Sequence, residues 1–126
     1  MTSNRTLWIL QWVFGLYFLA IGIMHFIVPD GLPDMMGWMY DLSDGLHWAS
    51  GAAEILGGLG LILPGLTKTR PELTRLAAMG LALVMVGAVI YHLGQEDQMQ
   101  NVAFNVVLIL IMGWIAYGRS KTPLTT

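Results

Sequence analysis

The residues within or bordering the apolar stretches whose types could do chemistry are His25, His47, Glu54, His92, Asn101 and Asn105. Glu54 is the informative one, because it sits inside an apolar stretch. A charged side chain near the centre of hydrocarbon costs at least ~2.5 kcal/mol, so a carboxyl there needs a partner or a task. In a helix, the seven residues from His47 to Glu54 make nearly two turns. That spacing puts His47, Gly51, Glu54 and Gly58 on one face, with Glu54 roughly 10 Å below His47. His25 shares a face with Gln11, Gly15, Phe18 and Gly22, His92 follows Tyr91 at the end of another apolar stretch, and Asn101 and Asn105 are four apart at the start of a third.

Three kinds of chemistry are open to such a set. Polar groups between membrane helices hydrogen-bond one another and fix helix register, with Glu54 protonated or paired to a histidine. Alternatively, His25, His47, Glu54, His92 and Asn105 surround a pocket for a quinone, a lipid or a proton. Desolvation raises a carboxyl's pKa and a neighbouring imidazolium lowers it, so a Glu54–histidine pair can exchange protons near neutrality, as quinone reduction requires. The third is metal binding: histidine and carboxylate suit zinc or iron, Met36 and Met39 have workable spacing for Cu(I), and His25 and His92 could lie opposite each other across a haem. Nothing in the sequence selects a metal, and we assign no metal ligands. The methionines also fit an amphipathic face seated in lipid headgroups.

The elements that must position these groups are legible from hydropathy. Of 126 residues, 56% are hydrophobic and 11% charged, against about a quarter charged in a soluble domain. The apolar residues fall in four blocks, Leu7 to Val28, Leu46 to Leu63, Leu73 to Leu93 and Val102 to Tyr117. Each approaches the ~20 residues that cross ~30 Å of hydrocarbon as a helix. The expected fold is all-α, one domain over residues 1–126, a membrane-spanning antiparallel four-helix bundle with spans near 7–28, 46–64, 73–93 and 101–118. Pro29 should end the first helix and Pro64-Gly65 the second, with the tail from Ser120 onward flexible. Between spans 1 and 2, Leu32, Met35, Met36, Met39, Leu42 and Leu46 recur at steps of three and four, which predicts a short interfacial helix anchored by Trp38, Tyr40 and Trp48. Small residues at regular spacing (Gly15 and Gly22, Ala49, Ala53 and Gly57, Gly51 and Gly58, Gly80 and Gly87) predict close helix contacts.

Charge supplies orientation. All six basic residues, Arg5, Lys68, Arg70, Arg75, Arg119 and Lys121, fall in alternate connections, whereas Asp30, Asp34, Asp41, Asp44, Glu96 and Asp97 fall in the others. The positive-inside rule then places both termini in the cytoplasm of a multi-pass cell-membrane protein, with the first span retained rather than cleaved. The histidines, Glu54 and the asparagines come to the outer half, and the inner half offers little beyond Gln11 and Tyr17. The absence of cysteine excludes disulfides and thiol redox chemistry. There is no phosphate-binding glycine loop and no basic surface for nucleic acid. The expected partners are the lipid bilayer and other membrane subunits or further copies of the chain.

Gly22-Ile-Met-His25-Phe26 with Pro29, the block Ser50-Gly-Ala-Ala-Glu54-Ile-Leu-Gly-Gly-Leu-Gly-Leu-Ile-Leu63-Pro64, and Leu76-Ala-Ala-Met-Gly-Leu81 after a basic turn resemble the first three helices of DoxX-like membrane proteins. The likeness covers roughly residues 10–95, and the fourth helix matches in length and apolar character. It implies a four-helix membrane bundle and a small subunit, not catalytic alone, of a membrane redox or quinone-linked complex. It also leaves open a chaperone-like or lipid-binding role, and an autonomous metal- or quinone-dependent enzyme. Any bound cofactor is unknown, with a quinone or lipid the candidate.

Overall fold

The computed structural model describes residues 2–124, and these form an all-helical chain. Four long helices, α1 (Asn4–Ile27), α3 (Asp44–Thr67), α4 (Glu72–Leu93) and α5 (Met99–Lys121), are each long and apolar enough to cross a membrane. Only α2 (Trp38–Asp41) and a 3₁₀ turn at Asp34–Met36 interrupt the connection between α1 and α3. Sequential packing runs α1 on α3, α3 on α4 and α4 on α5, and a narrower α1–α5 contact closes the bundle. Buried Phe18, Leu61, Leu81, Leu108 and Met112 form its core. Outward, Ile9, Leu56, Leu83, Ile90 and Leu110 are each more than half exposed, a surface suited to hydrocarbon rather than water. The antiparallel order gathers the six basic residues, with Glu72, at one end of the bundle and the aspartates, with Glu96, at the other. These are the basic and acidic ends below.

The helix limits follow from local chemistry. Ser3 and Ser43 cap α1 and α3, their hydroxyls accepting from the Thr6 and Leu46 amides. Pro29 bars its predecessor from helical geometry, so Val28 takes a left-handed φ of 46° while its N–H still bonds Met24 O at 2.7 Å. α3 does not stop at Pro64-Gly65 but continues to Thr67. The proline removes the donor that would have reached the Gly60 carbonyl, and the Thr74 hydroxyl of α4 donates to that carbonyl instead, at 3.0 Å. The tail expected to be flexible from Ser120 is also more ordered. α5 runs through Lys121, and Thr122 bonds back to Gly118 O at 2.7 Å. Residues 125 and 126 of that tail lie outside the described residues.

The glycines divide sharply. A Cβ on Gly22 would lie 2.9 Å from Gly51 O, and one on Gly58 would lie 2.6 Å from Gly15 O. α1 and α3 therefore touch backbone to backbone at two levels, as their spacing predicts. Gly57 and Gly60 similarly admit Leu81 and Ala77 of α4. The corresponding expectation for α4 fails, because a Cβ on Gly80 or Gly87 would meet nothing within 4 Å. The sevenfold repeat places both on one face of α4, but no helix packs there.

Candidate functional site

Glu54 faces the bundle interior, its carboxylate nearly inaccessible at 4% exposure, and its Oε2 lies 3.1 Å from His25 Nε2. α1 and α3 can bring these groups together because Gly22 and Gly51 let their backbones meet one turn away. His25 Nδ1 is in turn 2.9 Å from His47 Nδ1, and His47 Nε2 donates to the Met39 carbonyl at 2.8 Å. A carbonyl can only accept, so the proton of a neutral His47 sits on Nε2 and its Nδ1 accepts from His25. In a neutral His25 the nitrogen facing Glu54 is then bare and can only accept. That contact is close but not aligned along a ring N–H, so Oε2 is buried without an aligned hydrogen bond. A buried carboxyl oxygen in that state has unused bonding capacity, which in an apolar setting carries a penalty until something fills it.

What lies beside it is a cavity of about 460 Å³ in the acidic half of the bundle. Its walls are mainly apolar, including Phe18, Ile21, Met85 and Phe104, and its polar groups are His25, Glu54, His92, Asn105, Tyr17 and Ser50. His92 Nδ1 donates to Gln98 Oε1 at 2.6 Å, and the Asn105 amide donates to Asn101 O at 2.7 Å, which leaves the Asn105 carbonyl oxygen uncommitted. Of the residues singled out in the sequence, His25, Glu54, His92 and Asn105 line the cavity, while His47 stands behind His25 and is not part of the wall. Among the described residues no three such side chains converge as a metal-ligand set. His25 stands between His47 and Glu54 with a ring nitrogen toward each, so the three share no centre.

The short helix expected between spans 1 and 2 is present as α2, and its connection also forms part of the cavity wall. Trp38 turns inward, its ring centre 5.8 Å from that of His25 and 5.3 Å from that of His92, and so stands between the two histidines that a haem would need. Met39 is fully buried, and Met35 and Met36 line the cavity, Met35 with much of its surface still exposed. Tyr40 and Trp48 stay at the surface, the Tyr40 hydroxyl donating to Pro29 O at 2.8 Å and accepting from the Leu32 amide. Tyr17, which the sequence assigns to the inner half, forms part of the cavity wall. The inward roles of Trp38 and Gln98 escape sequence reasoning, since Trp38 falls outside the apolar stripe of its connection and Gln98 lies in a short turn.

The opposite end was read as nearly devoid of polar contacts, and there the structure corrects the reading. Arg119, taken only as a marker of topology, is 4% exposed. Its Nε donates to Gln11 Oε1 at 2.6 Å and its Nη1 to Asn4 Oδ1 at 2.7 Å, while Gln11 Nε2 donates to Leu61 O at 2.7 Å. Three helices are tied by one arginine and one glutamine.

Four apolar helices around a mainly apolar cavity that carries a few polar groups mark a multi-pass helical membrane protein. The DoxX-like family matches residues 9–115, reaching through most of α5, and the chain belongs to that family. No curated protein and no solved structure matches it significantly.

Proposed function

We propose that this DoxX-like protein holds a membrane-soluble quinone in the cavity and acts as a small, non-catalytic subunit of a membrane redox complex, with both termini in the cytoplasm. The single observation that carries the reading is a 460 Å³ apolar cavity beside a buried carboxyl oxygen that has no aligned partner. Such a site suits a ligand with a long apolar body and a ring bearing oxygen, since a carbonyl accepts from protonated Glu54 and a hydroxyl donates to its carboxylate. Reduction of a quinone to a hydroquinone consumes two electrons and two protons. The Glu54–His25–His47 series supports a proton route toward the acidic end. With no cysteine in the chain, any thiol-ligated electron carrier belongs to a partner subunit. The segregation of basic residues supports the cytoplasmic placement of the termini.

Trp38 lines the cavity, so its fluorescence reports occupancy. Short-chain benzoquinone and naphthoquinone probes should quench the purified protein saturably, and Trp38→Phe should remove the saturable part. Quenching that rises linearly with probe concentration would defeat the proposal, and co-purified phospholipid displaced from the cavity in native mass spectrometry would favour a lipid as the occupant.

A further inference from the structure

At the basic end, a second recess of about 290 Å³ lies between the start of α4, at Pro71, Glu72 and Arg75, and the end of α5, at Arg119, with Pro123 and Leu124 also in its wall. Arg119 is buried there with only part of its guanidinium engaged: Nε and Nη1 have acceptors, while Nη2 is buried and has none. A buried donor on a charged group without an acceptor is costly to leave so. Arg75 adds a second positive charge and makes no ion pair among the described residues. Pro71 offers no side chain to cap α4, so the positive end of that 22-residue helix dipole also faces the recess. The one opposing charge, Glu72, is exposed and already 3.0 Å from Arg70 Nε. Two arginines and a helix N-terminus against one paired carboxylate leave the recess net positive.

Its position adds to this. Arg119 lies in the last turn of α5, next to exposed Tyr117, and α4 begins with exposed Leu73 and Leu76, so the recess opens where the apolar surface gives way to charge. Basic recesses between helices at this depth fit phosphate-bearing headgroups, and arginine's planar fork suits phosphate oxygens. We infer that this recess binds a phosphate anion through Arg119 and Arg75, carried by an acidic phospholipid headgroup or free in solution. The site is independent of the cavity at the acidic end, and it gives Arg119 a ligand as well as a place in the helix packing.

The test compares phosphatidylglycerol with phosphatidylcholine by native mass spectrometry of the full chain in detergent, at fixed ionic strength, with inorganic phosphate as competitor. Wild type should prefer phosphatidylglycerol, and Arg75→Gln should cut that preference about five-fold, corresponding to the ~1 kcal/mol carried by one basic residue at an anionic surface. Lys121→Gln should change it less than two-fold, because Lys121 lies outside the recess over the Tyr117 ring. Competition by millimolar inorganic phosphate would identify the free anion as a ligand, and its absence the headgroup. Equal binding of the two lipids with no effect of inorganic phosphate, or equal losses in the two variants, would overturn the site. Arg75 is largely outside the packed core, so its variant tests the idea even where Arg119 variants fail to fold.

Discussion

The two ends of this bundle both bury polar groups, and they use them differently. At the basic end, Gln11, Thr74 and Arg119 through Nε and Nη1 are bonded to fixed partners, two of them backbone carbonyls on α3, and Arg119 Nη2 is left without a partner beside the smaller recess of about 290 Å³. Near the acidic end, His25, Glu54, His92 and Asn105 are also buried, but they line 460 Å³ of space, and Glu54 Oε2 is left without a partner. Saturated polar contacts hold helices in register, whereas unsaturated ones around a cavity are suited to a ligand. Burial alone does not separate the two cases. What differs is how much of each polar cluster is tied to fixed partners and how much space lies beside it.

The comparison breaks most visibly at Arg119. Arg119→Leu should strand Gln11 Oε1 and Asn4 Oδ1 and cost ~2–4 kcal/mol of stability, read from unfolding in detergent or bicelles, with quinone binding by the surviving folded fraction unchanged. A loss below 0.5 kcal/mol, on the order of a surface substitution, would remove the basic end's structural role. At Glu54 the balance should reverse. Glu54→Gln should shift stability by less than ~1 kcal/mol while weakening quinone-probe affinity about ten-fold, equivalent to 1.4 kcal/mol. Glu54→Leu should lose binding altogether and up to ~1.7 kcal/mol of stability, near the upper measured value for a polar contact between membrane helices. Thr74→Val, which leaves Gly60 O without its substitute donor, should cost ~1 kcal/mol and leave binding intact. The smallest expected change in stability is at Gly87, which lines the cavity where a Cβ would meet nothing. Gly87→Leu should fold as wild type within ~0.5 kcal/mol and still narrow the cavity enough to weaken probe binding, and equal affinity in the two proteins would place the ligand elsewhere.

Much of this arrangement could be read from the chain because helix periodicity carries it. Gln11, Gly15, Phe18, Gly22 and His25 share a face by spacing and are all buried, as are His47, Gly51, Glu54 and Gly58. That Glu54 would pair with a histidine follows from this, given the cost of a lone carboxyl in hydrocarbon, and the structure selects His25. What was illegible depended on contacts between segments distant in sequence. Arg119 reads as a topology marker because its burial is set by Gln11, 108 residues away. Pro64 reads as a stop because nothing local shows that Thr74 will take over the Gly60 carbonyl. Trp38 reads as an interfacial anchor because it lies outside the apolar stripe of its connection, Leu32 to Leu46. Gly80 and Gly87 mislead for a related reason: a repeat of small residues shows that a neighbour could approach, not that one does.

The contrast between the two ends rests on whether a ligand occupies the acidic-end cavity, and photoaffinity labelling tests that most directly. A photoreactive quinone analogue irradiated with the protein in bilayers, followed by peptide mapping, should label Trp38, Met85 and Phe104, residues that are far apart in sequence and meet only in the cavity wall. Excess unlabelled quinone should suppress that labelling. Labels confined to lipid-facing side chains such as Leu56, Leu83 and Leu110, with no suppression by excess quinone, would contradict the account and leave the histidine–glutamate cluster as a device for helix register.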